Sequence, residues 1–184
     1  KTCSITLATP TISLALLSSA NGTMAATVGN TTSGATYYYT VANSPSDPTT
    51  SSSVYSSSSK PTVYHGQYIK VKGYKLGNST TVVISAQASV KPVAPVLTAT
   101  LADKVTMTHS NTDTSAITIR YTQGANGADP TDPTATTGTV YSGEITSTEN
   151  TRFDAITVRT SNGLTVVSST SSVTVPSTTY SITK

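Results

Sequence analysis

Apolar and polar residues alternate along this chain in short runs. Val105-Thr106-Met107-Thr108-His109 turns Val105 and Met107 to one side, and Ile117, Ile119 and Tyr121 share a face with Thr118 and Arg120 opposite. Tyr37 and Tyr39 likewise oppose Tyr38, and Ile69 and Val71 oppose Tyr68, Lys70, Lys72 and Tyr74. Successive side chains on a strand point to opposite faces, so a period of two reads as a half-buried β-strand. No stretch of ten or more residues carries a helical period. The pattern predicts an all-β protein. Gly77-Asn78 and Asn162-Gly163 mark hairpin turns, since both residue types tolerate positive φ. Asp47-Pro48, Asp129-Pro130 and Asp132-Pro133 mark polar connections, because proline cannot donate to a ladder and aspartate caps turns.

The strands recur in order. The first copy reads ATYYYT at 35–40, SDPT at 46–49, VYS at 54–56 and YIKVKGYKLGNST at 68–80. The second reads AITIRYT at 116–122, ADPT at 128–131, VYSGEI at 140–145 and FDAITVRTSNGLT at 153–165. Each copy opens on a proline, Pro10 or Pro95, followed by alternating apolar residues. The period, roughly 80–85 residues, is the size of one compact sandwich and too long for a solenoid repeat. The expected organisation is two tandem β-sandwich domains, residues 1–91 and 92–184. Pro92 and Pro95 stiffen the joint and favour an end-to-end arrangement. Ile156 and Val158 are expected to fill the core positions that Ile69 and Val71 fill in the first copy.

Charge and composition narrow the function. Charged residues are 10% of the chain, and about a third is Ser or Thr. Residues 1–91 carry six lysines against Asp47 alone, net +5, whereas residues 92–184 are net −2. The bases are too dispersed for a nucleic-acid footprint. No run of eighteen apolar residues exists, so no membrane-inserting helix is expected. The single cysteine, Cys3, rules out an intramolecular disulfide, and packing must hold the sandwiches. The chain starts at Lys1 rather than Met, as a processed form or a fragment does.

Catalytic chemistry finds little material. His65 and His109 occupy non-equivalent places in the two copies, and a metal site needs clustered ligands. Asp129 and Asp132 each precede a proline in a turn, which is a structural use. Glu144 and Glu149 flank a hairpin and read as solvated. No catalytic, metal or cofactor residue is therefore expected. Tyrosine is in excess: ten against one Phe and no Trp, seven of them in the first copy. Tyr68, Lys70, Lys72 and Tyr74 form a face able to meet sugar rings or a protein partner, because Tyr joins an apolar body to a polar tip. Partial burial of strand-forming Tyr is the plainer account of the same face.

Gly34-Ala35-Thr36-Tyr37-Tyr38-Tyr39-Thr40, Asp47-Pro48-Thr49 and Val54-Tyr55-Ser56 stand in the order of a known module, as do Tyr121-Thr122, Asp129-Pro130-Thr131 and Val140-Tyr141-Ser142-Gly143. The pattern resembles the immunoglobulin-like domain at the C-terminus of chitobiase and β-hexosaminidase enzymes, twice over nearly the whole chain. The resemblance implies an immunoglobulin-like sandwich without catalytic residues. The expected function is a non-enzymatic structural or display module of an extracellular, cell-surface or virion-surface assembly, such as a fibre, pilus, capsid or tail decoration. Its partners would be protein subunits of that assembly, including further copies of itself. The alternative is a carbohydrate- or cell-surface-binding accessory module contacting surface glycans. The β-prone ends, Cys3-Ser4-Ile5-Thr6 and Tyr180-Ser181-Ile182-Thr183, are candidates for strand addition to a neighbouring subunit.

Overall fold

A computed structural model describes residues 5–113 and 115–178. Cys3 and the C-terminal strand candidate lie outside the described residues, as does Ser4 of the N-terminal one. The described chain is all-β, without an α-helix, and forms two compact units. One comprises Lys1–Val90 with Ser161–Leu164, the other Lys91–Thr160 with Thr165–Lys184.

The first unit contains β1 (Thr11–Ser18), β2 (Thr23–Gly29), β3 (Thr36–Ala42), β4 (Ser53–Val54), β5 (Thr62–Tyr64), β6 (Tyr68–Lys75), β7 (Asn78–Ser79) and β8 (Val83–Ile84). They form two antiparallel sheets, one in the order β1-β2-β5 and one in the order β4-β3-β6-β7, with β8 also on β6. The core lies between them. Ala26, Val28 and Val63 come from the first sheet, and Tyr37, Ile69 and Val71 from the second.

One cross-strand pair in this core is unusual. Tyr37 stands opposite Gly73 in the β3–β6 ladder and is only 5% exposed. Its hydroxyl accepts a hydrogen bond from the Thr32 N–H at 2.7 Å. The ring packs closely against Gly73, where an added Cβ would sit 2.6 Å from Tyr37 Cε1. Gly73→Ala is expected to cost roughly 1–3 kcal/mol by overpacking. Urea unfolding of the full chain checks this, and a change within error would show that the ring shifts freely.

The second unit repeats the plan with β9 (Val96–Ala99), β10 (Lys104–Thr108), β11 (Ala116–Gly124), β12 (Thr139–Val140), β13 (Ile145–Thr146), β14 (Arg152–Ser161), β15 (Leu164–Val167) and β16 (Ser171–Thr174). The sheets run β9-β10-β13 and β12-β11-β14-β15, with β16 also on β14. Val105, Met107, Ile119, Phe153, Ala155 and Val175 make the core.

Backbone hydrogen bonds align the two copies residue by residue. Gly66 N and Ala88 N donate to Ala88 O and Gln67 O, as Asn150 N and Val175 N donate to Val175 O and Thr151 O. Gly73 exchanges bonds with the backbone and hydroxyl of Thr80, as Thr157 does with Ser168. Ile69 and Val71 therefore correspond to Phe153 and Ala155. This corrects the expectation for Ile156 and Val158. They pair with Arg120 and Thr118 and lie on the opposite face of the sheet, although both are buried. A shift of one residue exchanges the faces of a strand. It went unnoticed in the pattern because β14 is buried on both faces from Phe153 to Arg159. The correspondence also explains Gly73. Where the first copy sets Tyr37 against Gly73, the second sets Ile119 against Thr157. One pair is large and minimal, the other is two middle-sized residues.

The turns differ slightly from the reading. In the second copy Asn162 (φ 47°) and Gly163 (φ 74°) make the turn as expected. In the first, the positive-φ residues are Leu76 (47°) and Gly77 (80°), one position before Gly77-Asn78. Asn78 is already in β7 and pairs with Lys75.

Candidate functional site

Strand β6 alternates strictly. Ile69, Val71 and Gly73 are buried, and Tyr68, Lys70, Lys72 and Tyr74 are half-buried on the outer face. The ladder brings Thr36, Tyr38 and Thr40 beside Tyr74, Lys72 and Lys70. The predicted Tyr/Lys face thus exists as a surface, and much of it is occupied by the protein itself. Lys70 Nζ is paired with Asp47 at 2.7 Å, and the Tyr74 hydroxyl donates to the Pro48 carbonyl at 3.0 Å. Pro48 is fully buried. The Asp47-Pro48-Thr49 block is a loop laid across the sheet and fastened at two points. Tyr74 also meets Tyr38 edge to face, with centroids 5.5 Å apart and planes at 83°. Lys72 Nζ stands 5.2 Å from the Tyr74 ring centre, within cation–π range.

The second unit repeats the fastening with different residues. Asp129, in the block equivalent to Asp47, is ion-paired with Arg152 at the start of β14. Arg152 Nε also donates to Asp154 Oδ1 at 3.1 Å. These bonds, the one to Asp154 foremost, raise the Arg152 pKa above its ordinary value. Pro133 is buried in the same connection. Arg152, Asp154, Ile156 and Val158 take the face that carries Tyr68, Lys70, Lys72 and Tyr74 in the first unit, so the aromatic surface has no second copy.

A buried polar cluster in the second unit was not foreseen. Arg159 is wholly inaccessible and the Asp113 side chain is 3% exposed. Arg159 Nε lies 3.1 Å from Asp113 Oδ2, and Nη2 donates to Asp113 Oδ1 and to Asn111 Oδ1, each at 3.2 Å. The Asn111 amide clasps the Val93 backbone, accepting from its N–H at 2.9 Å and donating to its carbonyl at 3.1 Å. The available signal was parity: Arg159 follows Phe153, Ala155 and Thr157 on the core side of its strand. Nothing in sequence spacing couples it to Asp113. The cluster ties the start of the unit to its central strand and is closed to a ligand.

Several of the remaining titratable groups have structural partners. His65 is 2% exposed, and its Nδ1 accepts from the Val90 N–H at 3.0 Å, which requires an unprotonated Nδ1. His109 is exposed. Glu144 pairs with Lys104 at 3.3 Å. Glu149, expected to be solvated, accepts from the Thr178 hydroxyl, from the Thr178 N–H at 3.0 Å and from the Ser177 hydroxyl at 3.2 Å. The Thr178 hydroxyl, then its N–H, holds the Glu149 pKa below the ordinary glutamate value. A lowered pKa means the contact is complete above that ordinary value and lost as pH falls through the lower one. An NMR titration should move the Thr178 amide with an acidic midpoint below that of a free glutamate, and Glu149→Gln should abolish the transition. A midpoint at the ordinary value would show that the bonds are not kept in solution.

Among the described residues, no three His, Cys, Asp or Glu side chains gather as a metal site, and no helix is long and apolar enough to cross a membrane. Neither protein-family models nor curated proteins include a match to this chain.

Proposed function

We propose that this chain is a non-enzymatic structural module of an extracellular or virion-surface assembly, such as a fibre, a pilus, or a capsid or tail decoration. The observation that carries the reading is the repeated fastening of an Asp-Pro loop across the outer sheet. Lys70 and Tyr74 hold it in the first unit, and Arg152 holds it in the second. Charged side chains are committed to fastening a loop in both copies, and an aromatic one, Tyr74, joins them in the first. Two similar sandwiches in tandem, stabilised by packing rather than disulfides, suit a repeated surface element. The three-stranded sheet facing a sheet in the order β4-β3-β6-β7 supports the immunoglobulin-like reading and the likeness to the chitobiase-type accessory domain. Immunogold electron microscopy with antibodies to this chain tests the proposal. Labelling of a fibre, pilus or particle surface at fixed stoichiometry is expected, and label confined to the cell interior would overturn it.

A second reading, attachment to surface glycans, is favoured by one observation. The loop leaves the Tyr38–Tyr74 end of the first unit's outer sheet open, and a groove remains there.

A further inference from the structure

We infer that this groove is a binding site for an anionic saccharide, one bearing carboxylate or sulfate groups. The inference rests on the glycan-attachment reading and not on the scaffold reading. It moves the contact away from Tyr68 and Lys70, at the start of β6, to the other end of that strand, beside the β6–β7 turn.

The groove has a volume of about 410 Å³ and is lined by Thr36, Tyr38, Thr50, Tyr74, Lys75 and Leu76, among others. That lies within the usual range for small-ligand sites. The Tyr38 and Tyr74 rings meet at 83° and form an aromatic corner. A pyranose ring presents C–H groups on its faces and hydroxyls on its rim. Aromatic walls suit the first, and the Thr36 and Thr50 hydroxyls suit the second. The corner is preorganised, because the Tyr74 hydroxyl is held by the Pro48 carbonyl. Leu76, at the β6–β7 turn, adds an apolar rim and is 81% exposed.

Charge selects the class of sugar. Asp47 is the only acidic residue before position 92, and Lys70 takes it. Lys75, in the groove wall, has its Nζ on the Ser33 carbonyl at 2.6 Å. Lys72 has its Nζ over the Tyr74 ring. Neither meets a carboxylate among the described residues. Two ammonium groups beside an aromatic corner, without a local counter-charge, complement an acidic sugar and give a neutral one no equivalent gain.

The test is an NMR titration of the full chain with four probes: an oligogalacturonide, a heparin-derived oligosaccharide, a neutral cello-oligosaccharide and oligoglutamate. At least one anionic sugar should shift the amides of Thr36, Tyr38, Thr50 and residues 74–77. The first probe reports carboxylate recognition and the second sulfate recognition. Binding should be about tenfold tighter than for the neutral sugar and should weaken with salt beyond the Debye regime of dilute buffer. Lys75→Gln and Leu76→Ser, both with native spectral dispersion, should each weaken it several-fold. No shift with either anionic sugar overturns the inference. So does equal binding of the neutral sugar, or equal binding of oligoglutamate, which would mark a merely cationic surface. Anionic sugar binding that shifts other residues overturns this site and leaves glycan attachment standing.

Discussion

Asp113→Ala is expected to destabilise the second unit by roughly 3–5 kcal/mol, the usual cost of leaving a buried charge without its partner. Arg159 has no accessible surface, and arginine cannot shed its proton to escape. Removing Asp113 takes away both carboxylate contacts, at 3.1 and 3.2 Å, and leaves Asn111 as a neutral acceptor. Asn111 is also committed to Val93, so the strain reaches the first residues of the unit. The loss should appear as a lowered urea midpoint for the second unit, with the first unit's transition little changed. A double variant, Asp113→Leu with Arg159→Met, should lose less than either single change, because a buried pair gains little net energy over apolar residues of similar volume. Equal losses for the single and double variants would mean that the pair contributes shape rather than charge compensation.

The strands were readable because alternation is a direct consequence of burying one face. Strands β3, β6, β10 and β11 show it clearly, and it marks Ile69, Val71, Val105 and Met107 as core positions, where the fold has them. Strand β14 differs by one residue from the alternation reading because apolar and polar side chains are buried on both of its faces. Hydrophobic pattern then carries no information about direction, and only the ladder to β11 and the bonds to Ser168 fix it. The Tyr/Lys face was readable for the same reason as the core. Its occupancy was not. The contacts Lys70–Asp47 and Tyr74–Pro48 join residues 23 and 26 positions apart across a loop whose path no local rule determines. The Arg159–Asp113 pair is invisible for a related reason. A charged residue at a core position reads as an error in the pattern until its partner, 46 positions earlier, is seen beside it.

Phe153→Ala should cost the second unit roughly 3–5 kcal/mol, the range for emptying a buried aromatic position. Phe153 is the only phenylalanine in the chain, has no exposed surface and packs against Tyr121 with ring centres 5.8 Å apart. It lies on the central strand between Gln123 of β11 and Val173 of β16, so neighbouring backbone is held on both sides and cannot collapse into the void. The structural equivalence with Ile69 sharpens the test. Phe153→Ile installs the residue the first unit uses at this place, and it should retain a substantial part of the stability that alanine loses. Ile156→Ala empties a position on the other face, outside the core cluster shared with Tyr121 and Ile119. Phe153→Ala should therefore weaken the near-ultraviolet circular dichroism of Tyr121, and Ile156→Ala should leave it nearly unchanged. Urea unfolding of the three variants supplies the energies. If Ile156→Ala destabilised the unit more than Phe153→Ala and also removed the tyrosine signal, the assignment of faces on β14 would be wrong. The second copy would then align with the first through Ile156 and Val158 after all.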